Sequence, residues 1–111
     1  MLFEIIVSKG FAKEALSLTK KYRSIADDIE QLMDKLIENP TIGTPLGNNC
    51  YKIRLAITSK GKGKSGGARV ITCVKIVENN VHLVSIFDKS DMENIADKEL
   101  KRRLKIIFEE K

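Results

Sequence analysis

Basic side chains are concentrated in one part of this 111-residue sequence, which indicates that the protein binds an anion. The chain has 20 basic and 15 acidic residues, yet no acidic residue occurs between Glu38 and Glu78. Because the rest of the chain is close to neutral, the basic residues of this interval produce a local positive field. Such a field attracts phosphate backbones, anionic membranes or an acidic protein partner. The residues concerned are Lys52, Arg54, Lys60, Lys62, Lys64, Arg69 and Lys75.

Two predicted strands place some of these basic residues on one face of the sheet. Lys52 and Arg54 alternate with apolar residues in one strand, and Arg69 and Lys75 share a face of the next. Residues on one face of adjacent antiparallel strands come within about 5–8 Å of each other, so Lys52, Arg54 and Arg69 are expected to form one patch. Like charges at that distance repel, and an anionic ligand therefore explains the patch better than stability does.

Histidine and cysteine provide few other candidates for chemistry. His82 is the only histidine, and Cys50 and Cys73 are the two cysteines. They lack the close pairs of ligands typical of a zinc site, so we expect no metal and no cofactor. The cysteines are expected to be small hydrophobic residues of a protein in a reducing compartment. His82 remains a candidate general acid or base.

Periodicity predicts an α+β fold with the order β-α-α-β-β-β-α. An N-terminal strand and a helical hairpin pack on a small antiparallel β-sheet, and a C-terminal helix follows. Residues 41–49 and 59–67 are expected to be exposed connections because they are rich in glycine. Ser90 and Glu93 form a capping box that predicts a short helical turn. The predicted strands are 2–7, 51–57, 68–77 and 81–87, and the predicted helices are 11–22, 25–37 and one that Asp97 caps.

Size and hydropathy favour one domain, residues 1–111, in the cytoplasm. No apolar run is long enough to cross a bilayer, so no membrane partner is expected. The N-terminus has no basic region followed by a long apolar core, which would be typical of a signal peptide.

Several segments resemble the RelE/ParE superfamily of toxins from type II toxin–antitoxin systems, closest to its RelE and HigB branch. The most specific is the run GKSGGARVI at residues 63–71, which is similar to a run in a HigB-like branch. Residues 20–40 resemble the helical hairpin of the family, 50–55 its second strand, and 87–100 its closing strand and helix. The resemblance spans nearly the whole chain and implies a RelE-like fold.

The resemblance also implies an activity, namely that of an mRNA interferase. Such a toxin enters the ribosome and cleaves mRNA by attack of the RNA 2′-hydroxyl on the neighbouring phosphate, which inhibits translation without a metal. Lys52, Arg54 and Arg69 would be catalytic. The implied partners are a cognate antitoxin, the ribosome and mRNA. The implied RNA-binding residues are Lys60, Lys62, Lys64, Lys75 and Lys89.

The C-terminal part departs from the family pattern. Relatives place an arginine after the last strand and a tyrosine or histidine near the last helix, whereas this chain has Lys89-Ser90 and Ala96-Asp97 there. Lys89 is therefore a candidate for the missing cation and His82 for the general acid. Two alternatives remain: a ParE-like toxin that poisons DNA gyrase, or a non-catalytic RNA-binding module.

Overall fold

The computed structural model describes residues 2–61, 63 and 66–109, and their elements form the predicted α+β fold. A helical hairpin follows the first strand, and a third helix follows the last strand. A short 3-10 turn at Thr58–Lys60 lies between the two strands that carry the cationic patch. The elements are β1 (Glu4–Val7), α1 (Lys9–Lys21), α2 (Ile25–Glu38), β2 (Thr44–Gly47), β3 (Cys50–Leu55), β4 (Ala68–Lys75), β5 (Asn80–Asp88) and α3 (Asp97–Glu109).

The five strands form one mixed sheet in the order β1-β5-β4-β3-β2. The three strands β3, β4 and β5 form the predicted antiparallel meander. β1 joins the edge of the sheet parallel to β5, with Glu4 opposite Asn80. Two parallel strands must be joined by a long connection. Here the connection from β1 to β5 begins with the helical hairpin and includes the other three strands.

Residues 41–49 were expected to be entirely a loop, but they contain the edge strand β2, which pairs with β3. All four residues of β2 are exposed. Because no face of this strand is buried, its sequence lacks the alternation of apolar and polar residues that would predict a strand. Pro45 is tolerated there because an edge strand has one side without ladder hydrogen bonds. The pairing is irregular between Pro45 and Gly47.

The helical turn predicted from Ser90 and Glu93 is wrong. Residues 89–91 form a turn, and no helix begins before Asp97. The Ser90 hydroxyl donates to the Asp88 carboxylate at 2.7 Å instead of capping a helix. A local hydrogen bond of this kind competes with helix formation at serine.

Each face of the sheet has an apolar cluster. The helical hairpin covers one face with residues such as Phe11, Ile25 and Leu36. α3 packs on part of the other face, which is also the face of the cationic strand residues. The cluster on this second face contains Cys50, Ile71, Cys73, Val84, Phe87, Ile95 and Ile107, with Leu100 and Leu104 against it. Among the residues that the structure describes, no helix is long and apolar enough to span a membrane.

Candidate functional site

Arg54 of β3 and Arg69 of β4 lie directly opposite each other in the sheet. The hydrogen bond from the Val74 amide to the Asn49 carbonyl encloses the Cys50–Cys73 pair, so that pair is of the non-hydrogen-bonded kind. The two kinds of pair alternate along an antiparallel ladder. Arg54 and Arg69, four residues along, are therefore also a non-hydrogen-bonded pair, in which the Cα atoms are only about 4.5 Å apart.

The two arginines differ in burial. Arg54 is exposed, whereas Arg69 is 5% exposed, and its guanidinium donates to the Ala68 carbonyl at 3.0 Å. Burial lowers the pKa of Arg69, and the positive charge of Arg54 lowers it further. Arginine nevertheless stays charged in proteins at neutral pH. Two like charges therefore originate from the closest cross-strand positions, and an anion between them would relieve their repulsion.

Lys52 completes the predicted patch. It lies opposite Ile71 in the ladder and is half-buried. Because side chains of a strand alternate between faces, Lys52 shares the face of Arg54, two residues further along β3. The structure thus brings Lys52, Arg54 and Arg69 to one region, as the sequence predicted for these three residues. We call this region the cationic face.

Lys60, which the resemblance implied to be an RNA-binding residue, has a structural ion pair instead. Its Nζ atom donates to Oδ1 of Asp88 at 3.0 Å. The Lys60 side chain is 13% exposed and that of Asp88 is fully buried. Nζ also lies 5.5 Å from the centre of the Tyr22 ring. Sequence reasoning could not find this pair because Lys60 lies between β3 and β4 and Asp88 ends β5, so their contact depends on the tertiary fold.

Asp88 is the centre of a buried hydrogen-bond cluster that sequence reasoning missed. The Tyr22 hydroxyl donates to its carboxylate at 2.5 Å, and the Ser90 amide donates at 2.9 Å. Burial alone would disfavour the charged form, but the hydrogen bonds from Tyr22, Ser90 and Lys60 outweigh it and hold the pKa of Asp88 well below its usual range. The only sign of this cluster in the sequence is an acidic residue, Asp88, at the end of an otherwise apolar strand.

A second carboxylate, that of Asp28, fixes the connection between β3 and β4, which contains Lys60. Asp28 of α2 accepts hydrogen bonds from the Thr58 amide at 3.0 Å and from the Thr58 hydroxyl at 2.6 Å. At the other end of the connection, Gly67 lies against the backbone of Leu55, and its carbonyl accepts from the Lys89 amide at 3.1 Å. Both ends of the basic connection are therefore anchored beside the start of β4. Lys62 and Lys64, also implied to bind RNA, lie outside the described residues.

Lys75 and His82 lie at the other end of the sheet. Lys75 is six residues from Arg69 along β4, about 20 Å away in a strand. Its Nζ atom contacts Glu78 at 3.7 Å and donates to the Ile107 carbonyl at 3.3 Å. His82 pairs with Cys73 and is 7% exposed. Burial lowers the pKa of His82, and the charge of Lys75 lowers it further.

Lys89 is exposed directly after β5, so its side chain is open to a ligand. It follows Asp88, which lies opposite Ala68, the residue before Arg69. Lys89 therefore lies at the same end of the sheet as Arg54 and Arg69. No group of three or more His, Cys, Asp and Glu side chains in the described ranges is arranged to hold a metal ion.

Solved structures of similar fold come from E. coli. The chain aligns with a free double-arginine mutant of the toxin RelE at a TM-score of 0.65 and 21% identity, covering 96% of this chain and 99% of that one. It also aligns with the intact RelBE toxin–antitoxin complex at a TM-score of 0.61 and 20% identity, covering 78% of this chain and 95% of that one. At this level of identity the likeness concerns the fold.

The sequence itself matches a family model. Residues 4–108 match the model described as the RelE toxin of the RelE/RelB toxin–antitoxin system. The matched range includes every strand and nearly all of α3. The chain therefore belongs to the RelE family and is a toxin of a toxin–antitoxin system.

Proposed function

We propose that this toxin is a ribosome-dependent mRNA endonuclease that inhibits translation. The observation that supports this most directly is the Arg54–Arg69 pair, in which two cations extend from adjacent strands at the closest cross-strand spacing. A phosphate in the RNA backbone carries the negative charge that such a pair attracts. An arginine fork also matches the geometry of phosphate oxygens.

The proposed reaction needs a group that accepts a proton and groups that stabilise charge on the phosphate. Lys52 is the proposed proton acceptor for the 2′-hydroxyl of the RNA, which attacks the neighbouring phosphorus. Arg54 and Arg69 stabilise the charge that develops on the phosphate oxygens. The bond to the 5′-oxygen then breaks, and that oxygen takes a proton.

We propose that solvent water supplies that last proton. His82 lies at the far end of the sheet under α3, so we assign it no contact with the reacting phosphate. Lys89 is exposed at the same end as Arg54 and Arg69, and we propose that it contacts the RNA there. Two of the other residues implied to bind RNA form ion pairs within the protein, Lys60 with Asp88 and Lys75 with Glu78.

We also propose a cognate antitoxin as the inhibitory partner. E. coli RelE has been solved with its antitoxin RelB and with a peptide of that antitoxin. An antitoxin segment with acidic and apolar residues would complement the cationic face and the apolar cluster beside it. Co-expression with the neighbouring reading frame should therefore restore growth to cells that this toxin inhibits.

Cleavage of mRNA on translating ribosomes, mapped by primer extension, tests the proposal. We expect Arg54→Ala to slow cleavage about 100-fold, because a donor to the developing charge is lost. Arg54 is the better target because it is exposed, so its replacement leaves the core intact. Lys13→Ala is the matched control, since Lys13 is exposed on α1, which packs on the opposite face.

Three results would contradict the proposal in different ways. If Arg54→Ala and Arg69→Lys both cleave as fast as the wild type, the cationic face has no catalytic role. RNA binding without cleavage by the wild type would indicate a non-catalytic module. Cleaved DNA–gyrase complexes with intact mRNA would indicate a gyrase-poisoning toxin.

A further inference from the structure

Cys50 and Cys73 lie directly opposite each other on β3 and β4. The hydrogen bond from the Val74 amide to the Asn49 carbonyl makes them a non-hydrogen-bonded pair. In such a pair the Cα atoms are about 4.5 Å apart and the side chains leave the same face. Disulfides usually have a Cα separation of about 4.4–6.8 Å, and the separation expected for this pair lies within that range.

The two thiols also share one environment. Both sulfur atoms lie near the carbonyl oxygen of Asn48, at 3.6 Å for Cys50 and 3.9 Å for Cys73. Both cysteines are free and buried, at 2% and 0% exposure. The two sulfur atoms therefore share one backbone acceptor in the same apolar cluster.

We propose that Cys50 and Cys73 are an oxidative modification site, at which a peroxide converts the two thiols into one cross-strand disulfide. A hydrogen bond from the Cys73 thiol lowers the pKa of Cys50, against the opposing effect of burial, and the same bond raises the pKa of Cys73. Cys50 therefore forms the thiolate first and is the sulfur that attacks the oxidant.

The reaction proceeds in two steps. The Cys50 thiolate attacks one oxygen of hydrogen peroxide and the O–O bond breaks. Cys50 sulfenic acid forms, and the departing hydroxide takes up the proton that the Cys50 thiol released and leaves as water. The Cys73 sulfur then attacks the sulfenic sulfur, the S–O bond breaks, and a second water leaves. Together the two thiols lose two protons and two electrons, and the peroxide is reduced to two waters.

The third helix controls access to this site. Ile107 belongs to the same apolar cluster as both cysteines, and Leu100 and Leu104 pack against it. Ile107 is the one buried residue within α3, so little apolar packing opposes local opening of the helix. Oxidation should therefore occur from a state in which α3 has moved away from the sheet.

The test treats the native toxin with hydrogen peroxide, blocks remaining thiols with an alkylating reagent under denaturing conditions, and measures the intact mass. We expect a monomer that is lighter by two hydrogen atoms, resists alkylation and returns to the dithiol with a reductant. The single variants Cys50→Ser and Cys73→Ser should give none of this product. A wild-type protein that keeps two alkylatable thiols, or gains oxygen without cross-linking, would overturn the proposal.

Loosening α3 tests the role of the helix separately. Leu104→Ala should form the disulfide roughly fivefold faster, because it raises the population of the open state. Lys101→Ala is the matched control on the same helix, since Lys101 is exposed. Equal rates for these two variants would show that α3 does not control access.

Discussion

At the scale of single residues, Asp88 connects parts of the chain that are distant in sequence. Its carboxylate accepts hydrogen bonds from Tyr22 after α1, from Lys60 after β3 and from Ser90 after β5. The charge is buried but well paired, which makes its partners more important than those of a surface ion pair. The sequence shows Asp88 only as a polar residue after an apolar strand, because its partners depend on the tertiary fold.

Replacement of Asp88 should therefore be costly. We expect Asp88→Asn to lower the free energy of unfolding by about 3 kcal/mol, since it leaves Lys60 without its buried counter-charge. Chemical denaturation at neutral pH measures this loss. Asp91→Asn is the control, because Asp91 is 65% exposed and contacts Lys21 at 4.0 Å. A similar small effect for both variants would contradict the structural role of Asp88.

The contribution of Asp88 should also depend on pH. Its pKa is lowered in the folded protein from the ordinary value of 3.8. The resulting stabilisation is therefore complete above that ordinary value and is lost as the pH falls towards the folded-state pKa. The difference in unfolding free energy between wild type and Asp88→Asn should shrink below about pH 4. A difference that grows on acidification would contradict this sign.

At the scale of elements, the connection between β3 and β4 returns very close to the strand that it leaves. A Cβ atom on Gly67 would lie 2.2 Å from the Leu55 carbonyl oxygen and 3.0 Å from the Ile57 amide nitrogen. These neighbours are backbone atoms of one short segment and cannot rotate away. Glycine is therefore required at this point by space, whereas Gly61 is favoured by its positive φ of 74°.

Two glycine variants separate these two requirements. Gly67→Ala should lower the free energy of unfolding by about 3 kcal/mol because the backbones must move apart. Gly61→Ala should cost about 1 kcal/mol, since a Cβ there meets open space and only the left-handed conformation is strained. Thermal unfolding of both proteins measures the difference, and equal losses would contradict the proposed close approach.

Local pattern predicted most of the elements but not how they are arranged. Alternation identified β3 and β4, a run that is apolar on both faces identified β5, and helical spacing identified α1 and α2. The strand β2 was missed because it buries no residue. The docking of α3 on the cationic side of the sheet is a tertiary feature without a local signal.

At the scale of the whole molecule, the cationic face is one end of a sheet surface whose other end is covered. Strand alternation was sufficient to predict that Lys52, Arg54 and Arg69 share a face. It could not show that Lys60 forms an ion pair with Asp88, or that Lys75 lies about 20 Å from Arg69 along β4, at the same end of the sheet as His82. Separation along β4 and the ion pair with Asp88 therefore decide which of the predicted cations share the cationic face.

Salt dependence measures how many of these cations contact RNA. For single-stranded RNA the logarithm of the binding constant should fall by about 0.7 for each contacted phosphate per logarithmic unit of salt. Arg54→Ala should reduce that slope by about 0.7, whereas Lys13→Ala should leave it unchanged. Fluorescence anisotropy over a series of salt concentrations measures both slopes. An unchanged slope for Arg54→Ala would exclude a phosphate contact by this residue.

The parallel pairing of β1 with β5 determines when the toxin can fold during its own synthesis. Glu4 lies opposite Asn80, so β1 finds its neighbour only after the helical hairpin and the three strands before β5 have been translated. Until then the apolar sides of the helical hairpin have no complete sheet to pack on. A nascent chain should therefore remain inactive until β5 has left the ribosome, which gives the cell that makes it a short period of protection.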